Sequence, residues 1–160
     1  MITKILSICG YSGSGKTTLL KNIIRILSSK GYKIGTIKHT HHDFEIDKPG
    51  KDSYEHFHSG AAASMIISDS KMGFIKRCEE MNPLKLVEKY FSDCDLVIIE
   101  GFKDYKDIPK IEVYRKEIGK NPLFLELSNC IAVITNEDLK TDIPQLNIND
   151  VDTIVRFIET

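Results

Sequence analysis

The sequence predicts an α/β fold with a mostly parallel sheet flanked by helices, and three observations carry that expectation. Residues 1–38 read strand, helix, strand with short links, which is the βαβ unit of a parallel sheet. A later run, Asp95-Leu-Val-Ile-Ile-Glu100, is nearly all apolar, as a central strand covered on both faces must be. Helical spacing returns on either side of that run, at Leu84–Phe91 and again from Val151 to Ile158.

In chain order, ITKILSIC is short, apolar and rich in β-formers, and Gly10 ends it. From Lys16 the period changes. Leu19, Leu20, Ile23, Ile24 and Leu27 mark one face of an amphipathic helix that stops near Gly31. A second strand spans about Lys33 to Lys38. The polar stretch that follows holds all five histidines and a Pro49-Gly50 turn. Asp52 is expected to cap a short helix from Ser53 to His58. AAASMIIS and MGFIKRC then read as a β-hairpin around Ser68–Lys71, placed at an edge of the sheet. Asn82-Pro83 is a good helix start, with Asn at the cap and Pro at the first helical position. Lys110–Tyr114 and Cys130–Ile134 are further strands, and a helix closes the chain from Asp150. With no internal repeat, linker or low-complexity tract, residues 1–160 are expected to form one domain.

Composition removes several classes. An apolar fraction of 41% with 28% charged residues is a globular balance and argues against disorder. A formal net charge of −1 gives no basic surface for gripping nucleic acid. No apolar stretch approaches 18 residues, so no transmembrane helix or membrane partner is expected. Cys9, Cys78, Cys94 and Cys130 form no CxxC pair and read as reduced core thiols of a cytoplasmic protein.

One motif carries chemistry. Gly10-Tyr-Ser12-Gly13-Ser14-Gly15-Lys16-Thr17 fits G-x-x-x-x-G-K-[ST] at every fixed position, after a predicted strand and before a predicted helix. Glycines there let consecutive N–H groups curl around phosphate oxygens, and the helix N-terminus adds donors through Thr18. Lys16 suits the β- and γ-phosphates of a nucleotide, and the Thr17 hydroxyl suits Mg²⁺. The fold expected is therefore of the P-loop nucleotide-binding type. A dinucleotide reading fails, because Thr18 stands where a third Gly or Ala is needed.

Such a loop needs an acidic partner at the ligand-facing end of a neighbouring strand. Glu100 closes its strand and is the candidate metal-site and catalytic carboxylate, whereas Asp95 opens the strand at the far edge. Lys38 and His39 end the second strand on the Glu100 side and are catalytic candidates that could reach the triphosphate, Mg²⁺ or the species being transferred, or else form a plain polar strand end. Asp43 and Asp47 suit Mg²⁺, base or ribose, or simply a solvated acidic loop. His39, His41, His42 and Asp43 lack the spacing of a zinc set. Asn136 and Asp138 fall near where a guanine reader would lie, since a carboxylate accepts two bonds from the guanine edge. The lysine of an N-K-x-D motif is absent, and a bare strand-to-helix turn explains those residues equally well.

ILSICGYSGSGKTTLL, then Lys38-His39, Asp47 with Pro49-Gly50-Lys51-Asp52-Ser53, Gly60-Ala61, Glu100-Gly101-Phe102-Lys103 and Pro109-Lys110-Ile111-Glu112 together resemble the MobB family, the molybdopterin-guanine dinucleotide biosynthesis adapter proteins. The resemblance covers roughly residues 2–115. It implies GTP binding with Mg²⁺, weak GTP hydrolysis, a homodimer and association with the guanylyltransferase MobA, with Asp43–Ser53 facing that partner or molybdopterin. A small-molecule kinase is the competing class. Its usual lid arginines have no counterpart among Arg25, Arg77, Arg115 and Arg156, none of which cluster in the sequence.

Overall fold

A computed structural model describes residues 3–160. The chain separates into two compact units, one made of the described part of Met1–His39 with Pro83–Thr160, the other of Thr40–Asn82.

The first unit is built on β1 (Lys4–Cys9), β2 (Ile34–Lys38), β5 (Leu96–Glu100), β6 (Lys110–Val113), β7 (Cys130–Thr135) and β8 (Gln145–Asn147). Their order across the sheet is β2-β5-β1-β6-β7-β8, and every described pairing in it is parallel. Helices α1 (Lys16–Ser29), α3 (Pro83–Tyr90) and α4 (Val151–Glu159) flank it. Side-chain alternation explains why β5 is apolar from Leu96 to Ile99. Leu96 and Ile98 pack with Leu19, Ile23 and Leu27 of α1 and Ile154 of α4, while Val97 and Ile99 pack with Val87 of α3. The αα-facing core is the larger, and Ile8, Ile23, Leu27 and Ile111 in it have no exposed surface. Asp150 caps α4, its carboxylate accepting the Thr153 N–H at 3.0 Å and the Thr153 hydroxyl at 2.7 Å. At the opposite edge of the sheet from the site, Asp95 accepts the Lys33 N–H at 2.7 Å, which is the capping role its position implies.

The second unit holds α2 (Asp52–His58) and the hairpin β3 (Ala63–Ile67) with β4 (Met72–Lys76). The hairpin expected at the sheet edge forms instead a separate two-stranded antiparallel sheet. Its register places Met65 opposite Phe74 and Ile67 opposite Met72, and all four side chains are exposed. Asp52 is the first helical residue rather than the cap. Lys51 occupies the cap position, and no side chain there accepts a bond. Cys78 is exposed rather than in a core, whereas Cys9 is buried, and all four cysteines are free thiols. Among the described residues no helix is long and apolar enough to cross a membrane.

Candidate functional site

Strand order locates the site. The chain runs from β1 to β2 on one side of β1 and later returns from β5 to β6 on the other, so the direction of winding reverses at β1. Open parallel sheets bind ligands in the crevice beyond the carboxyl ends of the strands at such a reversal. The segment that leaves β1 there is Gly10–Gly15.

That loop is shaped by backbone that only glycine tolerates. Gly10, Gly13 and Gly15 have φ of 144°, 82° and 90°. A Cβ on Gly10 would lie 2.5 Å from the Val113 carbonyl oxygen and 2.9 Å from Ser14 Oγ, so the loop start is pressed against β6. Gly15 is the N-cap of α1, whose first turn carries no acidic residue and whose cap makes no side-chain hydrogen bond. The amide donors and positive dipole end of a 14-residue helix therefore face the loop unanswered by any carboxylate of that turn. Ser14 Oγ is, among the described residues, the buried side-chain polar atom without a hydrogen-bond partner. The Lys16 ammonium folds back on the loop and donates to the carbonyls of Gly10 at 2.8 Å and Tyr11 at 2.7 Å. Burial pulls its pKa below the ordinary lysine value, Glu100 and Cys9 act against that shift, and Lys38 adds to it.

The residues expected beside the loop arrive from β2 and β5. Glu100 pairs in register with Ile8 on one side and Lys38 on the other. The His39 N–H donates to the Glu100 carbonyl at 2.9 Å. Gly101 (φ 108°) follows, with a Cβ there only 3.1 Å from that of His39. The His39 ring stacks on Phe102 with centroids 4.2 Å apart, and the Ser7 hydroxyl holds the Gly101 carbonyl at 2.5 Å. Lys38, His39 and Glu100 thus share one edge with Lys16. Thr17 and Thr18 are exposed at the start of α1, and Ser12 and Gly13 at the crest of the loop. Asn136 and Asp138 are exposed just past β7, on the opposite flank of β1.

Asp43 and Asp47 belong to the second unit. The Asp43 carboxylate accepts the Phe44 N–H at 2.9 Å. Asp47 accepts the Ser53 hydroxyl at 2.5 Å and the Lys48 N–H at 2.8 Å, and these bonds hold its carboxyl below the usual range. Among the described residues no group of three or more His, Cys, Asp or Glu is arranged to hold a metal ion. A magnesium ion of the kind bound to a nucleotide needs no such group, only a hydroxyl, one carboxylate and phosphate oxygens. The Thr17 hydroxyl and the Glu100 carboxylate are protein groups of that kind, while the loop amides and the Lys16 ammonium suit phosphate oxygens instead.

Sequence reasoning missed three contributors. Arg115, two residues beyond β6, donates through Nε to the Ser14 carbonyl at 3.1 Å. Lys110 and Glu112, which the sequence places in a strand and in the family pattern without a role of their own, are fully buried on β6. The Lys110 ammonium donates to the carbonyls of Tyr105, Ile108 and Ser128, the last two at 3.0 Å. The Glu112 carboxylate accepts the N–H groups of Leu123 and Phe124 at 2.8 and 2.7 Å. Burial raises the Glu112 pKa, and those two bonds oppose the rise. Period-two spacing of charges in a strand beside the loop was the signal available for the last two.

A family model, MobB, molybdopterin guanine dinucleotide synthesis protein B, matches residues 5–136. The chain belongs to the MobB family. It is 39% identical over 159 residues to the molybdopterin-guanine dinucleotide biosynthesis adapter protein of Escherichia coli (strain K12), covering 96% of this chain and 90% of that one. It is 38% identical over 157 residues to the protein of the same description from Haemophilus influenzae, covering 97% and 87%. A crystal structure of molybdopterin-guanine biosynthesis protein B superposes with a TM-score of 0.75 at 31% identity, over 97% of both chains. The match to the MobB model takes in the loop after β1, the edge residues Lys38, His39 and Glu100, and Lys110 with Glu112.

Proposed function

We propose that this MobB-family chain is a GTP-binding adapter that assists a MobA-type guanylyltransferase in making molybdopterin guanine dinucleotide. The observation that carries the reading is the meeting, on one carboxyl edge of the sheet, of the Gly10–Thr17 loop with Glu100, Lys38 and His39. Family membership supplies the pathway, since the relatives it matches are described as adapters in that biosynthesis.

In this reading the amides from Gly13 to Thr18 donate to phosphate oxygens, and Lys16 exchanges its two carbonyl acceptors for phosphate. Bound Mg²⁺ would neutralise charge on the β- and γ-phosphates, held by the Thr17 hydroxyl and by Glu100. Lys38 and His39 stand at the terminal-phosphate end, where they orient that group. Asn136 and Asp138 lie on the flank where the base would rest, and Asp138 supplies a carboxylate for the guanine edge. Asp43 and Asp47 line the segment assigned to the partner or the pterin. Hydrolysis by the isolated chain is slow, because Lys38 is exposed and Glu100 only half-buried, so water is not excluded from either. Self-association uses the exposed Met65, Ile67, Met72 and Phe74 face of the hairpin, an apolar surface that water does not favour leaving bare.

Calorimetry with GTP and ATP in the presence of Mg²⁺, with and without the guanylyltransferase, tests the proposal. GTP-selective binding, turnover well below one per second and a stable complex with the transferase are expected. Phosphate transfer to a small alcohol, or free-chain turnover of tens per second, would replace the adapter with an enzyme. Light scattering should report a dimer that Ile67→Lys converts to monomer.

A further inference from the structure

The arginine against the loop has no role in the nucleotide site described so far. Arg115 Nε and Nη2 both lie 3.6 Å from the position a Cβ on Gly15 would take, so the guanidinium runs along Ser14–Gly15 at the first turn of α1. Its bond to the Ser14 carbonyl uses one of five N–H donors. Among the described residues no other acceptor takes a hydrogen bond from it. No carboxylate among the described residues forms an ion pair with it. A cation at the N-terminal end of a helix is opposed by the helix dipole. The protein therefore keeps a half-buried, unneutralised guanidinium at the one end of α1 that electrostatics reserves for anions.

Strand order says which part of a nucleotide it faces. Glu100, Lys38 and His39 end β5 and β2 on one flank of β1, whereas Arg115 follows β6 on the other. A nucleoside di- or triphosphate whose terminal phosphate points to Glu100 must cross the loop. Its α-phosphate and ribose then lie on the β6 flank. We infer that Arg115 is a nucleotide-binding residue that grips the α-phosphate and ribose end with its two terminal amino groups while Nε braces Ser14. The inference rests on the proposed nucleotide site but not on the choice of guanine.

The test measures GDP, GTP and ADP affinities of wild type, Arg115→Gln and Arg115→Lys by calorimetry with Mg²⁺. Gln keeps a donor for the Ser14 carbonyl and loses the charge; Lys keeps the charge and loses the fork. Charge-assisted contacts of this kind are worth about tenfold or more in affinity. Arg115→Gln should weaken GDP and GTP by the same factor, with the GTP-to-GDP ratio unchanged, and Arg115→Lys should bind better than Arg115→Gln. Unchanged affinity in Arg115→Gln, or Gln binding as well as or better than Lys, makes Arg115 a brace alone and overturns the inference. A loss confined to GTP moves the residue to the terminal phosphate and also overturns it. Should Arg115→Gln fail to fold, phenylglyoxal labelling of the wild-type chain decides. Saturating GDP should suppress modification of Arg115 severalfold and leave Arg25 and Arg156 unchanged; equal labelling with and without GDP refutes the contact. Wild type that binds no nucleotide sinks the nucleotide site itself, whereas wild type that binds while Arg115→Gln matches it sinks only this inference.

Discussion

Gly10 and Gly13 offer a matched pair of substitutions that separates steric cradle from backbone strain. Both have positive φ, so alanine at either position is strained, at about 1–3 kcal/mol. They differ in surroundings. Nothing lies within 4 Å of a Cβ on Gly13, whereas on Gly10 it would meet the Val113 carbonyl oxygen at 2.5 Å and Ser14 Oγ at 2.9 Å. The first is a backbone atom of an interior strand, so relief must come from moving the loop. Adding an overpacking term of about 1–3 kcal/mol for Gly10 alone, Gly10→Ala should lose about 2–6 kcal/mol and Gly13→Ala about 1–3. For a chain of this size each kcal/mol lowers Tm by roughly 2–4 °C. Thermal melts should therefore place Gly10→Ala roughly 4–24 °C below wild type and, through the overpacking term alone, roughly 2–12 °C below Gly13→Ala. Calorimetry should find GTP binding lost in Gly10→Ala, because the shift displaces the loop amides. If the two variants melt together, or Gly10→Ala binds GTP as wild type does, the loop is not wedged against β6 and the cradle argument is wrong.

Lys16→Ala should lower GTP affinity by about a hundredfold, the scale of two charge-assisted contacts, while circular dichroism reports an intact fold. Retained affinity would detach Lys16 from the phosphates. Asp150 contributes through acid pH. The Thr153 hydroxyl and N–H hold its carboxyl below the ordinary value, so the stability it adds to α4 is fully present above the unfolded carboxylate pKa of about 3.9 and is lost as pH falls through the lowered folded value. In Asp150→Ala the Tm should fall at pH 7, and the gap to wild type should close on acidification below about pH 4. A gap independent of pH would remove the charge from the explanation.

How legible the molecule was in its sequence depended on how local each signal is. The β1 strand, the loop and α1 are set by neighbours in sequence, with strand period, glycines and then helical period within 30 residues, and they match the reading closely. The same holds for Glu100 at the end of β5, because an apolar run with an acidic terminus is a contiguous pattern. The hairpin was found, but its attachment was not, since alternation fixes a strand's faces and says nothing about which sheet it joins. β8 has three residues, Gln145–Asn147, too few for any period to register. Arg115 was invisible for a different reason. Its partner Ser14 lies 101 positions away, and only the parallel pairing of β1 with β6 brings the two strand ends together. Lys110 and Glu112 mislead a reading by type, because charge in a sequence argues for the surface and only the carbonyls and amides around them explain their burial.

Lys110 carries the least expected consequence. Its side chain has no exposed surface and its ammonium is satisfied by three backbone carbonyls from the loop after β5 and the turn before β7, with no carboxylate bonded to it. Replacing it with methionine keeps the volume and strands three acceptors. At about 1 kcal/mol each, partly offset by relief of the buried charge, the net loss should be about 2–3 kcal/mol. The pH dependence tests the charge itself. Burial lowers the pKa, so between that lowered value and the ordinary lysine value of about 10.4 the unfolded chain binds more protons than the folded one. Stability must then rise with pH through that window in wild type, and Lys110→Met lacks the rise. The stability gap between the two proteins, measured by denaturant titration from pH 7 to 10, should therefore widen as pH increases. A constant or shrinking gap would mean that the ammonium is solvated in the folded state, and the account of the carbonyl cage would fail with it.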